Sequence, residues 1–183
     1  MIKKQNTILE DKKSNYSYGC VMLFFKFPKL VNIHNIIQPQ HIYTELLDIS
    51  YGLETEAHTS LLYGLHDTVS LNDVTGVLQK YNYGEYKLTN PSLFENEKFD
   101  VLKFEVSGDN LYKTNTDLKQ FPYTSSYPDY QPHLTVAYLK SGMGKYYVDI
   151  INKANVTEFS LIPTHAVFSE ADGTKSKIKI NIN

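Results

Sequence analysis

No arginine occurs anywhere in the 183-residue sequence; its 18 strongly basic side chains are all lysines. Anion recognition therefore cannot use a bidentate guanidinium fork and falls to lysine, histidine, hydroxyls or backbone amides. Tryptophan is absent as well, so any flat surface for stacking a ring must come from the 15 Tyr and 9 Phe. The lone cysteine, Cys20, excludes an internal disulfide and fits a reducing compartment. Its neighbours, Val21-Met22-Leu23-Phe24-Phe25, read as a buried strand rather than the surroundings of a reactive thiol.

No apolar run approaches the ~18–20 residues of a membrane span, and the opening Met1-Ile2-Lys3-Lys4-Gln5-Asn6 lacks the apolar stretch of a signal peptide. A soluble, cytoplasmic protein is expected, with no membrane partner and no obligate protein partner. A formal net charge of −2 does not supply the basic surface on which capture of long duplex nucleic acid relies. A small nucleotide in a pocket is compatible with it. His-Glu-x-x-His, clustered cysteines and carboxylate-rich metal motifs are missing, as is the Gly-x-Ser-x-Gly elbow of a serine nucleophile. Neither metal nor cofactor is expected.

What is present is a short pattern that occurs twice. Glu56-Ala57-His58-Thr59-Ser60-Leu61-Leu62-Tyr63-Gly64 is echoed by Pro132-His133-Leu134-Thr135-Val136-Ala137-Tyr138. Each copy reads histidine, any residue, a hydroxyl residue, an aliphatic residue, then more apolar residues and a tyrosine. On a β-strand, positions i and i+2 share a face, so His58 and Ser60 face one way, as do His133 and Thr135. Thr59, Leu61, Leu134 and Val136 then face a core.

Two such strands side by side bring two imidazoles and two hydroxyls to one groove. That set suits a phosphodiester. A neutral imidazole can take a proton from an attacking hydroxyl, an imidazolium can return one to the leaving oxygen, and Ser60 and Thr135 can donate to phosphoryl oxygens. A single His-x-Ser or His-x-Thr would carry no weight; two copies in matching places of two similar halves do. His34, His41 and His66 read as surface residues, and His165, in Pro163-Thr164-His165-Ala166, as a residue that could line the cleft.

The remaining sequence supplies the setting. Residues 1–15 are polar and Lys-rich and read as a flexible arm before a single domain over 16–183. A central strand is expected over 18–27, a helix over 39–49 led by Pro39, and the first motif strand over 57–63. A helix capped by Ser70 and Asp73 should end near Tyr83-Gly84. Strands over 86–90 and 101–107 follow, split by a loop around Glu95-Asn96-Glu97-Lys98. A helix over 109–118 has Leu111, Tyr112 and Leu118 inward; the second motif strand covers 132–139. A helix over 145–155 has Tyr146, Ile150 and Ile151 inward, and a hairpin of 158–169 and 175–182 turns at Asp172-Gly173. The order implies an α+β fold of two pseudo-symmetric antiparallel-sheet lobes with outer helices and a central cleft.

His58-Thr59-Ser60-Leu61 and His133-Leu134-Thr135-Val136 resemble the paired His-x-Thr/Ser-x motifs of the 2H phosphoesterase superfamily. That superfamily includes 2′–5′ RNA ligase-like proteins, cyclic phosphodiesterases and 2′,5′-oligoadenylate phosphodiesterases. Within it, the setting Tyr51-Gly52-Leu53-Glu54-x-x-Ala57-His58-x-Ser60-Leu61-Leu62-Tyr63-Gly64 is most similar to the phage anti-CBASS nucleases, which destroy the cyclic oligonucleotide signals of bacterial immunity. The resemblance implies the bilobal 2H phosphoesterase fold and metal-independent cleavage of 3′–5′ bonds in a cyclic di- or trinucleotide, in a host bacterial cytoplasm. The first motif carries Ser60 where Thr is usual, and the missing arginine departs from relatives that clamp phosphate with basic side chains. Tyr18, Tyr123, Tyr127 and Tyr130 are expected to read the bases, with Glu170 as a polar contact. Opening of 2′,3′-cyclic phosphates on RNA ends, cutting of linear 2′–5′ oligoadenylates, and non-catalytic sequestration of a cyclic nucleotide stand as alternatives. Which histidine is base and which acid stays open.

Overall fold

The apolar run of the first strand places Val21, Leu23 and Phe25 in the core and leaves Cys20, Met22 and Phe24 on the opposite, half-buried face. This strand, β1 (Gly19–Lys26), begins a computed structural model that describes residues 18–46, 48, 50–125, 127, 129–154 and 159–182. The expected arm over 1–15 lies outside the described residues, as do Leu47 and Ile49 of the expected 39–49 helix. The strands that follow are β2 (His58–Leu65), β3 (Asn82–Tyr83), β4 (Tyr86–Glu95), β5 (Phe99–Ser107), β6 (His133–Lys140), β7 (Phe159–Ser169), β8 (Lys175–Ile178) and β9 (Asn181–Ile182). The helices are α1 (Leu30–His34), α2 (Leu71–Leu78), α3 (Leu111–Leu118) and α4 (Gly144–Lys153).

The main sheet is antiparallel and runs β2-β1-β7-β4-β5-β6, with β8 added to β7. The long strand β7 belongs to both lobes. Its first residues, Phe159, Ser160 and Leu161, pair with β4, and its remainder pairs with β1. The two ends of the path, β2 and β6, come back into contact, so the motif strands meet across a cleft. One apolar cluster runs beneath both lobes, from Leu23 and Leu61 through Tyr86 and Leu102 to Leu134 and Phe168. Full burial of each such side chain stabilises the fold by roughly 1.5–3 kcal/mol.

The outer edges of the motif strands are covered reciprocally. The segment before β6 lies on β2: Thr124 N–H donates to Gly64 O at 2.8 Å and His66 N–H to Pro122 O at 3.0 Å. The segment before β2 lies on β6: Glu54 N–H donates to Val136 O at 2.9 Å and Tyr138 N–H to Gly52 O at 2.7 Å. Neither edge is left as an open ladder. Gly64 permits this closeness, because its φ is +105° and a Cβ there would collide with the Thr124 carbonyl.

Several expectations are corrected. Among the described residues of the stretch read as a helix, the one helical element is a 3-10 turn, Pro39–His41. Beyond it Ile42 bridges Leu139 and Tyr43 N–H donates to Tyr138 O at 2.9 Å, so backbone pairing with β6 replaces a helical ladder; Leu46 is left 93% exposed. The helix in this region is instead α1, with Leu30 and Ile33 buried. α2 has the expected capping box, with Ser70 Oγ accepting from Asp73 N–H at 3.2 Å. It ends at Leu78, because Asn82–Tyr83 pairs in parallel with Asn181–Ile182. In α3 the buried set is Leu111, Thr114, Asn115 and Leu118, with Tyr112 outward; in α4 it includes Tyr147 and Ile151, with Tyr146 outward. β4 continues past Asn90 because the register slips between Thr89 and Pro91, which lets a residue without an N–H sit inside a strand.

Candidate active site

Both motif strands share one local construction. In β2 the register jumps from Ser60, opposite Met22, to Leu62, opposite Val21; in β6 it jumps from Thr135, opposite Lys103, to Ala137, opposite Leu102. Leu61 and Val136 are thus bulge residues. Each bulge lets two consecutive side chains, Leu61-Leu62 and Val136-Ala137, enter the core directly after the half-buried histidine and hydroxyl. His58 and Ser60 share one face of β2, His133 and Thr135 one face of β6, and Thr59 is fully buried on the other side.

Each motif histidine is held by the carbonyl two residues before it. His58 Nδ1 lies 2.8 Å from Glu56 O and His133 Nδ1 lies 2.7 Å from Gln131 O. A carbonyl oxygen can only accept, so Nδ1 carries the proton in both rings and Nε2 is the free nitrogen. Burial holds the proton affinity of His133 below the ordinary imidazole value; the Gln131 bond opposes this, and the charges of Lys103 and His58 add to it.

Phenylalanines brace both rings. Phe24 stacks on His58 with centroids 5.2 Å apart and on His165 at 5.0 Å, a three-ring stack across β2, β1 and β7. Phe94 of β4 meets His133 edge-on at 5.0 Å. His165 is therefore on the cleft side; burial and the charge of Lys177 lower its proton affinity, while Glu56 raises it. A cavity of about 490 Å³ flanks this stack, with Phe27, His34, Glu56 and Thr164 in its wall.

Cys20 lies on the same face as Ser60 rather than in the core, and its Sγ donates to Ser60 Oγ at 3.8 Å. Burial pushes the thiol up to about 11, with the Ser60 bond opposing, so it stays protonated and unreactive at neutral pH.

The expected base readers are dispersed. Tyr18 sits at the end of β2 away from His58, stacked on His66 at 5.8 Å and edge-on to Tyr63 at 6.4 Å. Glu170 is at that same end of the sheet, in the turn between β7 and β8, where its N–H donates to Thr174 O. Tyr123 lies on the segment paired to β2, and Tyr127 is 73% exposed. Tyr130 is tied down: its hydroxyl donates to Ser60 O at 3.1 Å and its ring packs against the core, which leaves it supporting β2 from below. The histidines read as surface residues are anchored too. His34 Nε2 donates to Val136 O at 3.1 Å, His41 Nδ1 lies 2.8 Å from the Tyr147 hydroxyl, and His66 Nε2 lies 2.9 Å from Thr124 Oγ1.

The residue the motif reading missed is Lys103. It faces Thr135 across the β5–β6 pair and Ser92 across the β4–β5 pair, and its Nζ donates to Ser92 Oγ at 2.8 Å. The signal was a lysine inside the apolar run Val101-Leu102-Lys103-Phe104, since lysine is rarely buried without a partner. Among the described residues, no three His, Cys, Asp or Glu side chains are grouped to hold a metal ion, and no helix is long and apolar enough to cross a membrane.

The sequence matches no protein-family model and no curated protein. Similarity appears in three dimensions. The structure of Kluyveromyces marxianus Usb1 superposes with a TM-score of 0.58 at 8% identity, over 91% of this chain and 99% of that one. Usb1 of the same yeast with uridine monophosphate gives 0.57 at 10% identity, over the same shares. The chain shares the fold of Usb1. The expected α+β architecture of antiparallel strands, outer helices and an intervening cleft is therefore the observed one.

Proposed function

We propose that this protein is a metal-independent phosphodiesterase of the 2H superfamily that cleaves 3′–5′ bonds of cyclic di- or trinucleotides. The observation that carries the reading is the matched pair of Nδ1–carbonyl bonds, which leaves one free Nε2 on each of two facing strands beside Ser60 and Thr135. Two identical tautomers on one cleft suit a reaction that removes a proton at one end of a phosphodiester and returns one at the other.

In this mechanism His133, whose neutral form is favoured by partial burial, accepts the proton of the ribose 2′-hydroxyl through Nε2. The 2′-oxygen forms a bond to phosphorus as the bond to the 5′-oxygen breaks. His58, entering as the imidazolium, gives its Nε2 proton to that departing oxygen. The products are a 2′,3′-cyclic phosphate and a 5′-hydroxyl, and Ser60 and Thr135 donate to the non-bridging oxygens throughout. A fold neighbour solved with uridine monophosphate supports a nucleotide as ligand, which is also compatible with the second reading, opening of 2′,3′-cyclic phosphates on RNA ends.

One screen separates the readings: cyclic and linear oligonucleotides incubated with the protein, with products identified by chromatography and mass spectrometry. The proposal expects linear products from a cyclic substrate and full activity in excess EDTA. His58→Ala and His133→Ala should each lose ~10²–10⁴-fold in kcat while still folding. Intact ligand recovered after denaturation would instead identify a sponge, and near-normal turnover by either folded variant would overturn the two-histidine mechanism.

A further inference from the structure

A chain without arginine still has to meet the charge of a phosphodiester. Lys103 is 4% exposed on β5, among strands rather than at the rim. Its ammonium donates to Ser92 Oγ at 2.8 Å and lies 4.3 Å from the centroid of Phe94, the ring that meets His133 edge-on. The ion pairs among the described residues are Lys80 with Asp117 and Lys145 with Glu95; neither involves Lys103. Glu105, its nearest acidic neighbour in sequence, is exposed and opposes only part of the effect of burial, which lowers the proton affinity of Lys103. An ammonium has three donors, and Ser92 takes one. A buried cation without an anion is costly, and its register partner Thr135 carries a hydroxyl on the same face of the sheet.

We propose that Lys103 is the cation that receives the phosphoryl group, its ammonium donating to a non-bridging oxygen held between it and Thr135. This rests on the cleft being an oxyanion site for phosphodiesters. The Phe94 face favours the charged form of the ammonium against the effect of burial, and the Ser92 hydroxyl holds its position. The same charge disfavours protonation of His133, so one residue both binds the phosphate and keeps its neighbour ready to accept a proton. The groups facing His133 are His58 from β2, Lys103 and Glu105 from β5, and the Gln131 carbonyl on its own segment.

The test uses the full chain and inorganic phosphate, with the imidazole resonance of His133 followed by NMR. Lys103→Met removes the charge and keeps the length; Lys103→Gln also keeps a donor for Ser92, so it serves should the methionine variant fail to fold. Both are expected to melt at or above the wild-type temperature, to bind phosphate roughly 10- to 100-fold more weakly, and to show His133 titrating at higher pH. A folded variant that binds phosphate like wild type overturns the proposal, as does a wild-type protein whose His133 resonance ignores millimolar phosphate. Lower melting temperature with unchanged phosphate affinity would make Lys103 a strut and overturn it too. Loss of phosphate binding in a protein that cleaves no oligonucleotide would leave the proposal standing and remove the nuclease reading; undiminished cleavage by Lys103→Gln would do the reverse.

Discussion

Leu61 and Val136 are equivalent bulge residues whose carbonyls both accept from side chains of outer helices. Asn115 of α3 donates its Nδ2–H to Leu61 O at 2.6 Å, and His34 of α1 donates its Nε2–H to Val136 O at 3.1 Å. A bulge disrupts the ladder locally; in each lobe a helix side chain donates to the bulge carbonyl, and Val136 O accepts from Glu54 N–H as well. The helices therefore fix how far each motif strand is kinked, and with it the aim of the histidine and hydroxyl just before the bulge.

The first prediction concerns that clamp. Asn115→Ala leaves the Leu61 carbonyl buried without its donor, which costs about 1–3 kcal/mol. For a chain of this size Tm should fall by roughly 2–4 °C for each kcal/mol. Thermal unfolding followed by circular dichroism checks it, and an unchanged melt would show the bond to be idle.

Thr59 should behave in the opposite way to its neighbours. Its Oγ1 is the one buried side-chain polar atom among the described residues that has no hydrogen-bond partner. Thr59→Val exchanges an unsatisfied hydroxyl for a methyl of similar shape, so stability should hold or rise by up to about 1–3 kcal/mol, and turnover should not change. Urea unfolding with steady-state kinetics measures both. A marked loss of stability would mean that the hydroxyl has a partner.

The pH dependence of stability has a fixed sign. Burial is the first cause lowering the proton affinities of His34, His133 and His165. Unfolded, each protonates near about 6.5; folded, each stays neutral to lower pH. Below that value the unfolded state binds more protons, so the stabilisation is complete above about 6.5 and is lost as pH falls toward the folded values. Melting temperature should drop between pH 7 and pH 5.5, and His133→Gln should flatten the slope. A melt that rises on acidification would refute the assignment.

Gly64→Ala tests the reciprocal edge. A left-handed φ costs an L-residue roughly 1–2 kcal/mol, and the added Cβ meets the Thr124 carbonyl. The expected result is a lower melting temperature together with faster hydrogen exchange at the Thr124 amide, whose acceptor is Gly64 O. Protection equal to wild type at that amide would show that the segment is held elsewhere.

Much of this was legible in the sequence wherever one local rule acted alone. Ser70 and Asp73 announced α2 and its capping box, Asp172-Gly173 announced the last turn, and the alternation from His58 to Ser60 announced a shared face. Reading failed where tertiary pairing overrode a local pattern. Residues 39–49 have helical spacing, but beyond the Pro39–His41 turn Ile42 and Tyr43, like Gly52, Leu53 and Glu54 further on, pair with the edge of β6, and Tyr112 and Tyr146 each lie one position away from the buried face of their helices. The bulges were invisible because strict alternation predicts one buried position after Ser60 or Thr135, not two. Lys103 escaped notice because its partners, Ser92 and Phe94, come from a strand whose length depended on a register slip at Pro91.

The sharing of β7 decides how the molecule comes to be assembled. β1 emerges early in synthesis, yet its partner along Ile162 to Ser169 lies late in the sequence, and β4 waits for the same strand. Pairings this distant form slowly and leave unpaired edges exposed meanwhile. Neither lobe has its full set of strands before β7 has been made. What the late strand supplies is the join: β2 with β1, and β6 with β5 and β4, become one sheet carrying both histidines only through β7.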